Sequence, residues 1–341
     1  MLRQLWRLTS PVPAAGPDAL AVTIYEHPDG VVHAEESGYE GVACVDDAAR
    51  LLIVLSRVWE RTELDWVEHW ARGLLDYVLW MQEPDGTWIN FVRDWDGEKN
   101  RDGITSRPGQ NFWLARGILG TQAAASVFGD ERARDASRKG LAAAAREEAP
   151  PDVRALHLLA ALSGDGEPDL ARAWADELLA CRDGDVLKNA PLEVGVPHLW
   201  GHIQEGALAE AAHGLDRPDY LEAAVASAEA VIVPAVTSSF REQVSTSPYD
   251  VAACIWSLDR LAAASGDGRW AGLAADGRAW FDGRNAAGAP VYDRDRGRVG
   301  DGVDGTRVSE NSGAESNIVA ADVLLDEAVA VARTMSDLFA S

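Results

Sequence analysis

The stretch Gly41-Val-Ala-Cys-Val-Asp46-Asp47-Ala-Ala-Arg50-Leu-Leu-Ile-Val-Leu55 sets two adjacent carboxylates at the head of an apolar run. The pattern predicts a helix opening near Asp46, whose later residues are too apolar to face water on more than one side. A carboxylate at that end gains from the unpaired first-turn N–H groups and the positive end of the helix dipole, so its charge is held where a ligand can approach. Read as structure alone, one aspartate is an N-cap and the other a first-turn charge, each stabilising the helix by roughly 1 kcal/mol. Read as chemistry, neighbouring carboxylates diverge, so one of them faces a cavity. Asp46 and Arg50 have the i, i+4 spacing of a pair, which leaves Asp47 as the better acid/base.

Working outward from this helix, the chain predicts helices in pairs: 46–59 with 63–82, 110–128 with 130–147, 151–163 with 167–181, 200–214 with 217–232, 248–265 with 268–281, and a last one over 313–335. The first member of each pair is apolar nearly all round, as in Asn111-Phe-Trp-Leu-Ala-Arg-Gly-Ile-Leu, and the second carries regular charge, as in Glu131-Arg-Ala-Arg-Asp. Such a contrast puts the first members inside and the second at the surface. Five pairs and a sixth inner helix, in units of about 50 residues, predict a ring of helical hairpins, with an open superhelical array as the competitor. Short turns within pairs (Ser163-Gly-Asp-Gly166, Gly214-Leu-Asp216, Ser265-Gly-Asp-Gly268) alternate with long segments between them: 83–109, 182–198, 233–247 and 282–312. Long segments and inner-helix N-termini then share the face where a site is expected. The organisation expected is an extension over 1–43 and a catalytic-type helical domain over 44–341. In the extension Pro11, Pro13 and Pro17 break any early helix, and the runs 19–25 and 31–33 flank Pro28-Asp-Gly30 as a small hairpin ending in the Gly38-Tyr-Glu-Gly41 loop.

Composition narrows the partners. With 31 basic against 55 acidic residues and a net charge of −24, the chain does not suit nucleic-acid phosphates or an anionic membrane. Cys44, Cys181 and Cys254 show no CxxC spacing and read as small core residues in a reducing compartment. No secretory h-region and no uninterrupted bilayer-spanning run is evident, which predicts a cytoplasmic protein. The 13 tryptophans outnumber the 6 Tyr and 6 Phe together, and indoles stack on flat apolar faces, sugar rings included, although most should fill gaps between helices.

The segments Val45-Asp-Asp-Ala-Ala-Arg50, Pro84-Asp-Gly-Thr-Trp-Ile-Asn-Phe91, Trp280-Phe-Asp-Gly-Arg-Asn285, Gly288-Ala-Pro-Val-Tyr-Asp293 and Ser312-Gly-Ala-Glu-Ser316 resemble, in order, the six-hairpin glycosidase-like superfamily. More narrowly, they are similar to the toroid domain attached to bacterial glycosyltransferases. The resemblance implies an all-α (α/α)6 toroid with a small N-terminal β-hairpin and chemistry on a saccharide. Two departures stand out: Ser106-Arg-Pro-Gly-Gln110 replaces an acidic pair at the second inner helix, and Ala48 stands where the group has Asn.

Six-hairpin glycosidases act with two carboxylates, separated by about 5 Å for retention and about 6.5–9.5 Å for inversion. The candidates here are Asp47, Asp46, Glu315 and Glu205. Glu315 also fits a capping box with Ser312, a purely structural role. His198 and His202 have the i, i+4 spacing of a metal pair with Glu205 one turn on, but His-Glu-x-x-His is missing and no metal or cofactor is expected. For binding, the candidates are Arg50, Gln110, Asn111, Trp113, Trp95, His202, Gln204, Tyr249, Asp250 and Asn311, because indole and amide groups serve sugar pockets by stacking and hydroxyl recognition. The expected activity is glycoside hydrolysis. A sugar epimerase or polysaccharide lyase using His202 or Tyr249 as base is the alternative, and a non-catalytic glycan-binding or scaffold module is a third.

Overall fold

The computed structural model describes residues 1–32, 40–164 and 166–339, with side chains as far as Ser336. His33, Gly38 and Tyr39 of the expected hairpin and loop, and Asp165 of one expected turn, lie outside the described residues. Two compact units are present: residues 1–147, 293–300 and 310–341 form one, and 148–292 with 301–309 the other. Along the chain the helices are α1 (Leu2–Leu8), α2 (Val45–Thr62), α3 (Asp65–Met81), α4 (Phe112–Phe128), α5 (Glu131–Ala144), α6 (Pro151–Leu162) and α7 (Pro168–Ala180). They continue as α8 (Gln204–Gly214), α9 (Pro218–Ala230), α10 (Ile232–Thr237), α11 (Pro248–Ser265), α12 (Gly268–Arg278), α13 (Ala314–Val323) and α14 (Leu325–Phe339).

In the first unit α2 is the hub. Its apolar face, with Leu51, Leu52, Leu55 and Val58 fully buried, packs on α3 and α4. Gly120 lets α4 approach closely, since a Cβ there would meet Ala49 at 3.0 Å. On another side of α2, Arg50–Glu315, Arg57–Asp322 and Arg61–Asp326 keep one constant offset along the chain, so α13 and α14 run parallel to α2. The single helix expected over 313–335 is divided by Leu324, at φ −110° and ψ 41°. The prolines do not prevent an early helix: α1 ends before Pro11 and packs on α13 and α14. Of the run 19–25, Tyr25 pairs across the Pro28 turn, its carbonyl accepting the Val32 N–H at 3.2 Å, while the earlier residues pair elsewhere. Strand β2 (Leu20–Val22) pairs antiparallel with β1 (Thr9–Pro11), and among the described residues the hairpin strands are β3 (Glu26–His27) and β4 (Gly30–Val31). A further ladder joins β5 (Ala43–Cys44) to β6 (Phe91–Val92), which fixes the entry into α2.

In the second unit α8 packs on α6 and α11, with α7, α9 and α12 against them. Glu210 pairs with Arg260, and Gly206 is backed by Trp256 and Ser257, where a Cβ would come within 2.4 Å of the indole. α11 opens with a capping box between Ser247 and Asp250 and stops at Gly266 in the left-handed region at φ +69°. The span Pro218–Thr237 is long and apolar enough to cross a membrane by length and composition, at mean hydropathy 1.4, although Asp219, Glu222 and Glu229 interrupt it. It comprises α9 and α10 and packs on α8, α11 and α12.

Candidate functional site

Three carboxylates occupy the same place in three helices, the second residue: Asp46 in α2, Glu205 in α8 and Glu315 in α13. None of them caps its helix. At α2 the N-cap is Cys44, whose Sγ accepts the Asp47 N–H at 3.4 Å, while Asn90 Oδ1 accepts the Asp46 N–H at 3.1 Å. The capping duty expected of the two aspartates is therefore met by their neighbours. At α13 the N-cap is Gly313 with no side-chain cap, and the expected Ser312–Glu315 box is not formed. The Ser312 hydroxyl donates to the Val299 carbonyl and accepts from Asn317 Nδ2, which leaves Glu315 to turn elsewhere.

In the first unit Glu315 turns to Arg50. One guanidinium nitrogen, Nη2 of Arg50, lies 2.7 Å from Asp47 Oδ1, 2.9 Å from Glu315 Oε1 and 3.8 Å from Asp46 Oδ2. Asp46 also receives a hydrogen bond from Arg116, a nearly buried arginine in the otherwise apolar α4. The expected Asp46–Arg50 pair is thus the longest of these contacts, and Asp47 is the main local partner of Arg50. The three acids differ in access: side-chain exposure is 3% for Asp47, 20% for Asp46 and 46% for Glu315. Burial, helped by the negative charge of Glu315 and Asp46 and opposed chiefly by Arg50, pushes the Asp47 carboxyl up to about 6. Oδ1 of Asp46 is buried without a hydrogen-bond partner.

The second unit holds a buried network, in which Glu205 Oε2 has no hydrogen-bond partner. His202 Nε2 lies 2.8 Å from Glu205 Oε1, which also accepts the Ser227 hydroxyl at 2.6 Å. His202 Nδ1 lies 2.7 Å from Asn189 Oδ1, and Gln204 Nε2 donates to that same oxygen and to the Lys188 carbonyl. All four side chains of Asn189, His202, Gln204 and Glu205 are at most 2% exposed. His198 does not join His202: its ring stacks on Trp200 at 4.0 Å. Among the described residues no group of His, Cys, Asp and Glu is arranged to hold a metal.

The remaining candidates fall into structural contacts. Asn111 caps α4 through its side chain, Gln110 donates to the Ala143 carbonyl and Trp113 to the Trp88 carbonyl. Asp250 accepts the Ser247 backbone and hydroxyl hydrogens in its capping box. Trp95 lies half-buried in a turn of the loop beyond β6, and Tyr249 approaches Trp200 at 6.4 Å between ring centres. Asn311 lies half-buried just before α13. Sequence reasoning missed Arg116, Asn189 and Ser227. Only Arg116 carried a signal, as a lone charge inside an apolar helix.

The sequence matches no protein-family model and no curated protein. Solved structures do match. A sugar epimerase from a ruminal bacterium superposes with a TM-score of 0.64 at 13% identity, over 89% of this chain and 92% of that one. A D-mannose isomerase gives 0.67 at 11%, over 91% and 92%. A family 76 glycoside hydrolase from a bovine Bacteroides thetaiotaomicron strain gives 0.61 at 11%, over 95% and 75%. The chain therefore has the all-α, (α/α)6-toroid fold of the six-hairpin glycosidase-like proteins.

Proposed function

We propose that this chain is a carbohydrate-processing enzyme that acts on a saccharide through Asp46 and Glu315, with glycoside hydrolysis as the reaction. The observation that carries the reading is the gathering of carboxylates at the heads of α2 and α13 about the single Nη2 of Arg50, with Glu315 half exposed and Asp46 partly so. In hydrolysis one carboxyl protonates the departing glycosidic oxygen while the other attacks the anomeric carbon or activates water. Contact with one common nitrogen favours the shorter separation, about 5 Å, of retaining enzymes. Asp47 is too deep to touch substrate and acts by holding Arg50. The structural likeness to a sugar epimerase, a mannose isomerase and a glycoside hydrolase supports sugar processing in general.

A second reading, epimerase or isomerase, draws on chain length: the epimerase and isomerase are covered over 92% of their lengths, the hydrolase over 75%. Incubation with free monosaccharides and with oligosaccharides, followed by NMR of the products, separates the two. New reducing ends from oligosaccharides are the expected result. Interconversion of free sugars without cleavage would assign the second reading, and no turnover of either class would leave neither standing.

A further inference from the structure

We propose that Arg116 is a positioning residue of the reaction, holding the Asp46 carboxylate in the direction from which it meets the sugar. The inference deepens the hydrolytic reading above and rests on it, and every residue it uses lies within the first unit. Arg116 is 5% exposed, too deep to touch substrate, so it acts through Asp46. It enters the cluster from α4, where its neighbours Leu114, Ala115 and Ile118 are fully buried and apolar. Packing alone does not call for a charge there. Burying a guanidinium costs its hydration, and replacing a buried ion pair by apolar residues is often neutral or stabilising. The charge is explained by what it touches: Nη1 of Arg116 donates to Oδ2 of Asp46.

Three contacts fix where that hydrogen bond is made. On its own helix the guanidinium lies over the Phe112 ring one turn earlier, with Cζ 4.9 Å from the ring centre. One turn later, Gly120 sets the distance between α4 and α2, because a Cβ there would meet Ala49 at 3.0 Å. Gly117 is backed by the Trp88 indole, which a Cβ would approach within 2.9 Å, so α4 is held against rolling. On α2, Asp46 and Ala49 are i, i+3 neighbours, so the depth of the helix crossing and the reach of Arg116 are set together. Asp46 thus meets arginines from two helices, Arg116 of α4 and, at 3.8 Å, Arg50 of its own. Direction matters to a reacting carboxylate, since a misplacement of about 1 Å can cost on the order of 10²-fold in rate.

The test compares the whole chain as wild type, Arg116→Met, Arg116→Gln and Arg116→Lys on neutral gluco-, manno- and xylo-oligosaccharides. Released reducing ends give kcat and KM per folded molecule, and circular dichroism with the thermal midpoint follows the fold. In Arg116→Met, kcat should fall about 10²-fold while KM stays within about threefold, and Arg116→Lys, which keeps the charge, should recover at least about tenfold of the loss. The same fall is expected in Arg116→Gln, which decides the matter should Arg116→Met fail to fold. An arginine that only supports the fold would lower the midpoint and leave kcat of the folded molecules unchanged, and that result would overturn the role alone. A wild type that releases no reducing ends would overturn the role together with the hydrolytic reading.

Discussion

Asp46 and Glu315 in one unit and Glu205 in the other hold the same position in their helices, yet their surroundings differ in kind. The first two share Arg50, Asp46 pairs with Arg116 as well, and both are partly exposed. Glu205 is sealed, fully buried and bound to His202 and Ser227. A carboxylate at a helix N-terminus is therefore neither catalytic nor structural by its position. Access, and whether its partners are charged and shared or neutral and private, decides which work it can do.

The largest expected effect attacks the sealed side. Glu205→Ala strips a buried partner from His202 and Ser227 and should cost about 3–5 kcal/mol of stability in chemical denaturation. A loss under about 1 kcal/mol would erase the contrast between the clusters. Next comes the buried acid of the first unit. The Asp47 carboxyl is raised from 3.8 to about 6 in the fold, so its protonated form is favoured there. Its contribution is fully present below pH 4 and is lost as pH rises toward about 6, a decline on the order of 2–3 kcal/mol. Denaturation midpoints taken across that window should show the decline in wild type and not in Asp47→Asn. The smallest effect is a cap: Ser247→Ala opens the capping box with Asp250 and should cost about 1 kcal/mol by the same measurement, with turnover unchanged. A change in turnover there would move Asp250 from the helix cap into the chemistry.

Much of the fold was legible because helix pairing is written in local periodicity: Asn111-Phe-Trp-Leu-Ala announces a buried helix and Glu131-Arg-Ala-Arg a surface one. The N-terminal details were not, since the pairing of Leu20–Val22 with Thr9–Pro11 is a choice between partners that propensity does not rank. At the site, Asp46, Asp47 and Glu315 were readable as charges at helix heads. Their partners were not: Cys44 and Asn90 take over the capping of α2, and Arg116 comes from a helix distant in sequence. His198 and His202 both precede α8, which begins at Gln204, with Gly201 at φ +69° between them, so their i, i+4 spacing does not put them on one helical face.

The most direct measurement is the turnover of Glu315→Gln on the saccharide that wild type processes, alongside its thermal midpoint. Glu315 is half exposed and caps nothing, so the midpoint should stay within about 2 °C while turnover falls about 10²–10⁴-fold. Turnover near the wild-type rate in a folded Glu315→Gln protein would contradict the account at its centre.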